Sequence, residues 1–133
     1  MSEPVWIRQD VVLAMHEEAL MLHGGAEGVR DLGLLEYALA RPKNLFAYSE
    51  QAPSLARFAA SYAKEIVANH PFVDGNKRTA LATCLVFLSE NNLLPDEKLD
   101  VDAWEALTLD VAASRLDRAQ TTKRLRKLLR SSK

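Results

Sequence analysis

The chain has little that would tie it together covalently or draw it to a charged partner. Cys84 is the single cysteine in 133 residues, so no internal disulfide can form, which fits a reducing compartment. Net charge is −1, and no global field steers the protein towards nucleic acid or a membrane surface. The longest apolar stretch, around Ala80 to Leu88, is too short to span a bilayer. Met1 to Asp10 carries neither the basic segment nor the apolar run of a secretory leader. A cytoplasmic protein with no membrane partner is the expectation. Repeats and low-complexity segments are absent too. The length suits one domain, 1–133, large enough to bury a core without disulfide or metal staples.

Two common motifs also fail. His16-Glu17-Glu18 opens like the His-Glu-x-x-His zinc motif, but Leu20 stands where the second histidine is needed, and His16 with His23 gives too few ligands for zinc. Gly75-Asn76-Lys77-Arg78-Thr79 ends like a Walker phosphate loop but lacks its upstream glycine and preceding strand.

What is present is helical periodicity, and it predicts an all-α bundle of about six helices. Pro4-Val5-Trp6-Ile7 reads as a short strand or extended lead-in, with Trp6 capping a core edge. Val12, Met15, Ala19 and Leu22 repeat at helical spacing up to the Gly24-Gly25 stop. Asp31 is placed to cap a second helix through Leu34, Leu35, Ala38 and Leu39, ending at Arg41-Pro42. Lys43 to Pro53 lacks a clear period. Pro53-Ser54 opens a third helix with Leu55, Phe58, Ala59, Tyr62, Ile66 and Val67 on its apolar face. Ala80, Leu81, Cys84, Leu85, Phe87 and Leu88 make the fourth apolar nearly all round, as a central helix should be. After a connection through Pro95, Asp100 or Asp102 caps a fifth helix carrying Val101, Trp104, Leu107 and Val111. A sixth runs from about Asp117. There Leu125, Leu128 and Leu129 share one face, while Lys123, Arg124, Arg126, Lys127, Arg130 and Lys133 make the terminus basic, the pattern of an amphipathic helix with a solvated side.

The chemistry concentrates between the third and fourth helices, in His70-Pro71-Phe72-Val73-Asp74-Gly75-Asn76-Lys77-Arg78-Thr79-Ala80. Pro71 disfavours the α conformation at His70 and so breaks the helix. The next helix then points the N–H groups of its first turn, from Gly75 through Arg78, into the space beside His70, an arrangement that binds phosphate. Gly75 lets an anion approach the backbone, and Lys77 and Arg78 add charge, Arg78 with a planar fork suited to phosphate oxygens. Asp74 is a hard oxygen ligand of the kind that holds Mg²⁺ together with substrate phosphates, or an ordinary N-cap. His70 can offer a proton-accepting nitrogen near neutral pH. Together these point to transfer of a phosphate-containing group onto a hydroxyl.

This segment resembles the signature loop of the Fic/Doc superfamily, His-x-Phe-x-Asp/Glu-Gly-Asn-x-Arg, and its Asn-Lys-Arg ending resembles the Doc (death-on-curing) toxin branch. The resemblance implies an ATP-dependent transferase acting on a target-protein hydroxyl. In it His70 is the general base, Phe72 the buried loop anchor and Asp74 the Mg²⁺ ligand. Gly75, Asn76 and Lys77 shape the anion hole, and Arg78 holds phosphate. In the family the segment ahead of the helix leading to the loop is a flap aligning the target, which here implicates Leu45, Phe46 and Tyr48; their plainer use is as core side chains under a loop. AMP-transferring members continue Gly-Asn-Gly-Arg-x-x-Arg, whereas this chain has Lys77 and Leu81 at the second glycine and second arginine. The Doc branch instead implies γ-phosphoryl transfer to a threonine of elongation factor Tu and control by an antitoxin in trans. Ser61 and Glu65 have the spacing of the family's inhibitory segment but sit within the third helix, and read as ordinary helix residues. An AMP-transferase is the alternative enzyme. A non-catalytic helical module binding through its basic C-terminal helix is the alternative of another class.

Overall fold

The computed structural model describes residues 2–48, 54–93, 100–113 and 115–131. Six helices account for its regular structure: α1 (Gln9–His23), α2 (Leu32–Tyr48), α3 (Leu55–Asn69), α4 (Asn76–Glu90), α5 (Val101–Ala112) and α6 (Arg118–Ser131). Among the described residues the only β pairing is an isolated antiparallel bridge between Val29 and Phe72, so Pro4 to Ile7 forms the lead-in and not a strand. No described helix is long and apolar enough to cross a membrane. The rest of the expected flap, 49–53, the connection through Pro95 and the terminal Lys133 lie outside the described residues.

Polar caps set most helix starts. Asp31 Oδ1 accepts from Leu34 N at 3.1 Å, Ser54 Oγ from Arg57 N at 3.4 Å and Asp100 Oδ1 from Ala103 N at 3.1 Å, each satisfying a donor that the first turn leaves unpaired. At α6 the exchange is reciprocal. Gln120 N donates to Asp117 Oδ1 at 2.8 Å and Asp117 N to Gln120 Oε1 at 3.0 Å, a capping box.

The centre of the bundle is shared between α3, which packs against α2, α4, α5 and α6, and α4, which packs against α1, α3 and α5. Ala56, Ala59, Ala60 and Ala63 are buried along α3, and their small side chains let neighbours approach closely. Phe58, Tyr62, Ile66, Phe87, Leu88 and Trp104 fill the space between. Trp6 closes one edge, stacked on Phe87 with ring centroids 5.9 Å apart and edge-on to Phe46 and Phe58. Tyr62 Oη accepts from Ile7 N at 3.2 Å, and burial pushes this phenol up to about 12, so it stays neutral. Cys84 is core; burial likewise pushes its thiol up to about 12, leaving no thiolate to react.

One expectation fails. The second helix does not end at Pro42 but continues to Tyr48 with Pro42 buried inside it. An interior proline costs about 3 kcal/mol or more, and the turns beyond it offset that by packing Leu45 and Phe46 against the core. The terminal helix meets its expectation. Leu125 is buried, Leu128 and Leu129 are partly buried, and Arg124 pairs with Asp110, which also holds Arg115 at 3.1 Å.

Candidate active site

The site begins where α3 stops. His70 takes a left-handed conformation, φ 50° and ψ 55°, and its N–H closes the helix on Ile66 O at 3.1 Å. Few non-glycine residues adopt that region. Pro71 then carries the chain outwards, and its carbonyl accepts from Arg30 N at 2.7 Å and Asp31 N at 3.0 Å. Val73 N donates to Gly28 O at 3.0 Å. The loop is thus stitched to the segment between α1 and α2.

Phe72 and Asn76 form its inner side. Phe72 is fully buried. The Asn76 amide, also buried, spans the turn: Phe72 N donates to Oδ1 at 3.0 Å, and Nδ2 donates to Phe72 O at 2.9 Å and faces His70 Nδ1 at 3.0 Å. Because Phe72 N–H must meet an acceptor, the amide orientation is settled and Nδ2 is the donor towards His70. The same Nδ2 lies 3.5 Å from His70 Nε2, so the amide meets the ring over both nitrogens and assigns the proton to neither.

On the outer side, Asp74 is exposed and its carboxylate is held by backbone. Gly75 N donates to Oδ1 at 2.8 Å and Ala26 N to Oδ2 at 3.2 Å. These two hydrogen bonds, with a smaller contribution from the Arg78 charge, keep the carboxyl below its ordinary range. A depressed carboxylate adds stability above its unfolded value and loses it as pH falls through the folded one, so Asp74 stays ionised wherever the protein is neutral or mildly acid. Two expectations are corrected here. Asp74 is not the N-cap of α4, since Gly75 occupies that place with φ 79°. Nor is the Gly75 N–H free, because it donates to Asp74 Oδ1. The open donors are the N–H groups of Asn76, Lys77 and Arg78, which by helix geometry have no intrahelical acceptor.

Gly25 shows how closely the α1–α2 connection approaches. With φ +127°, a Cβ there would lie 2.7 Å from Asp74 Oδ2. Gly25→Ala is expected to cost about 1–3 kcal/mol through its backbone conformation and to displace the carboxylate. Urea unfolding reads the first effect.

His70, Asp74, Gly75, Asn76, Lys77 and Arg78 all line one cleft of about 590 Å³. Its far wall comes from Val67 and Leu81 and from α5, through Glu105, Thr108, Leu109 and Ala112. The donor set of the loop fits a phosphate ester with Mg²⁺: three backbone N–H groups, two cations and the Asp74 carboxylate, with Glu105 a second carboxylate on the far wall. No group of three metal-ligating side chains exists among the described residues, and Mg²⁺ needs none where substrate phosphates complete its shell. Asp74 is the residue that would hold it.

Four participants gave no sequence signal of their role. His16, Arg30 and Gly25 meet the loop from far upstream, and the α5 wall meets it from downstream. Only the pairing of a buried histidine with a glycine turn could have hinted at the first. Of the residues named for target contact, Leu45 and Phe46 face the core, whereas Tyr48, 83% exposed, faces outwards. Glu65 hydrogen-bonds Asn69 at 3.4 Å and pairs weakly with Arg41, and Ser61 is buried, so both serve as helix residues.

A histidine, an ionised carboxylate and a helix start face one cleft, an arrangement suited to group transfer at phosphorus. Residues 6–88 match the sequence model of the Fic/DOC family. The chain belongs to that family, and within it to the Doc branch. It is 38% identical over 110 residues to "Toxin Doc" of Mycolicibacterium smegmatis, covering 83% of this chain and 82% of the relative. It is 29% identical over 126 residues to "Protein kinase doc" of Escherichia phage P1, covering 95% and 97%.

Proposed function

We propose that the chain is a Doc-like toxin, a protein kinase that moves the γ-phosphoryl group of ATP onto a Ser/Thr hydroxyl of a translation factor, elongation factor Tu, and so blocks translation in the cytoplasm. The observation that carries this reading is the opening of His70, Asp74 and the α4 helix start onto one cleft. The names of the two relatives support it.

In this reading the phosphate chain lies across the N–H groups of Asn76, Lys77 and Arg78, with the Arg78 guanidinium on its oxygens. Bound Mg²⁺, held by Asp74, would neutralise charge on the phosphates. The target hydroxyl gives up its proton to the His70 imidazole, and its oxygen bonds to the γ-phosphorus as the bond to ADP breaks. Tyr48 is the flap residue with a side chain free to meet the target.

AMP transfer is supported less, since Leu81 puts an apolar side chain into the cleft and Lys77 crowds the helix start. The binding-module reading loses ground because Arg124 is engaged by Asp110 and Arg126 donates to Ser54 Oγ at 2.9 Å. For the antitoxin, a groove of about 370 Å³ between α1 and α4, lined by Met15, Ala19, Leu22 and Leu85, suits the apolar face of a helix. Arg78 and Leu81 line both groove and cleft, so a helix seated there would abut the active site.

Intact-mass spectrometry of elongation factor Tu after incubation with the protein, ATP and Mg²⁺ tests the reading. The expected product carries one phosphoryl group. Unmodified factor, or factor carrying AMP, contradicts it.

A further inference from the structure

Two side chains outside the signature loop hold that loop by its backbone carbonyls. Arg30, on the segment before α2, donates from Nε to His70 O at 2.7 Å and from Nη2 to Asn69 O at 2.9 Å. His16, on α1, has Nε2 2.7 Å from Asp74 O; a carbonyl only accepts, so this nitrogen carries the ring proton. We propose that Arg30 and His16 are positioning residues with separate tasks: Arg30 fixes the base, and His16 fixes the helix start and its carboxylate.

The separation follows from peptide planarity. Asn69 O and His70 O belong to the two peptide planes that flank the His70 Cα. A rigid fork gripping both fixes φ and ψ at that residue, in a region where a histidine does not rest by preference. Nothing in that grip reaches Gly75. Asp74 O belongs to the same plane as the Gly75 N–H, which in turn holds Asp74 Oδ1. Gripping that oxygen sets the direction of the N–H, the carboxylate and the first turn of α4 together.

His16 is built for this task. It is 5% exposed, and its ring stacks on Phe72 with centroids 3.8 Å apart and planes inclined by 11°. Its Cδ2 lies 3.5 Å from where a Cβ on Gly75 would stand, so the ring forms the floor under the N-cap. Deleting the Nε2–H leaves a carbonyl without its partner beside a rigid ring.

Two of the three measurements, nucleotide binding and transfer, rest on the kinase reading, and hydrogen exchange does not. His16→Phe keeps the ring and its stacking but loses the donor, His16→Gln keeps a donor but loses the ring, and Arg30→Ala removes the fork. The intact protein is titrated with ATP and Mg²⁺ by calorimetry, followed by amide hydrogen exchange, and then assayed for single-turnover transfer at saturating nucleotide. With one hydrogen bond at stake, His16→Phe should weaken Mg²⁺-ATP binding by about tenfold and speed exchange at Gly75 and Thr79, whose N–H groups bond Asp74 Oδ1 and Gly75 O, with the transfer rate within about threefold of wild type. Arg30→Ala should show the converse, binding within about threefold and transfer slowed by about tenfold, with faster exchange at His70. His16→Gln should recover most of the lost affinity.

Equal factors on binding and transfer in both variants, or no change in either, overturn the proposal. A His16→Gln loss as large as that of His16→Phe overturns the role of the hydrogen bond. Melting curves identify a variant that fails to fold, and if His16→Phe is one, His16→Gln and Arg30→Ala carry the decision. If the wild type binds no Mg²⁺-ATP, the kinase reading has failed, and unchanged exchange at the two ends of the loop then overturns the positioning roles independently.

Discussion

Replacing His70 by alanine is expected to reduce phosphoryl transfer by about 10²–10⁴-fold, the usual contribution of a general base, while leaving the bundle intact. The side chain is exposed and its one hydrogen-bond partner, Asn76, keeps its two bonds to Phe72. The change in stability should therefore stay within about 0.5–1 kcal/mol, as for other surface positions. Calorimetric titration with Mg²⁺-ATP should give wild-type affinity, because the donors proposed to hold phosphate lie on α4 and not on His70. Near-normal transfer by the folded variant would remove His70 from the chemistry.

Asn76→Ala is expected to damage both fold and activity. Its amide is buried and uses its oxygen and both hydrogens inside the turn. Truncation orphans the N–H and the carbonyl of buried Phe72, at about 1–3 kcal/mol for each. Set against the 5–15 kcal/mol or so that holds a typical domain folded, that is a large share. The loop would lose the contact that ties its inner turn to the base, so transfer should fall even at a temperature where the variant remains folded. Chemical denaturation measures the first effect, and a transfer assay on the folded fraction measures the second. A variant as stable as wild type would mean that the turn is held by Phe72 packing alone.

These two residues lie in a stretch that the sequence marks plainly, and much of the bundle was equally legible. Asp31, Ser54, Asp100 and Asp117 announce helix starts because capping is a local interaction, settled within three residues. Pro42 misled for the opposite reason. Its cost is local, but what outweighs it is the packing of Phe46 on Trp6 and Phe58 and of Leu45 against the core, which local spacing does not display. The signature loop was readable as a set of residue types, yet its geometry was not. The hand that Arg30 lends to His70 crosses 40 residues of chain, and that of His16 to Asp74 crosses 58. Gly75 illustrates the limit: its glycine was legible as a place of close approach, but only the structure shows that its N–H is spent on Asp74 Oδ1.

The α5 wall belongs with these long-range features. Glu105, Thr108 and Leu109 sit in a helix whose pattern reads as ordinary amphipathic packing, and Thr108 Oγ1 bonds back to Trp104 O at 3.1 Å as helix threonines do. What makes them part of a cleft is the placement of α5 against both α3 and α4, which also determines how far the cleft is enclosed.

In the proposed reaction the loop presents the terminal phosphate of ATP, and not the inner one, to the hydroxyl beside His70. Lys77 stands at the helix start where AMP-transferring relatives have glycine, and its ammonium favours the most highly charged end of the nucleotide. Parallel reactions with ATP labelled at the γ or the α position, elongation factor Tu as acceptor and Mg²⁺ present test this directly. Label from the γ position should move to the acceptor protein, with ADP as the product, while α label stays in the nucleotide. Appearance of α label on the acceptor would contradict the account and leave AMP transfer in its place.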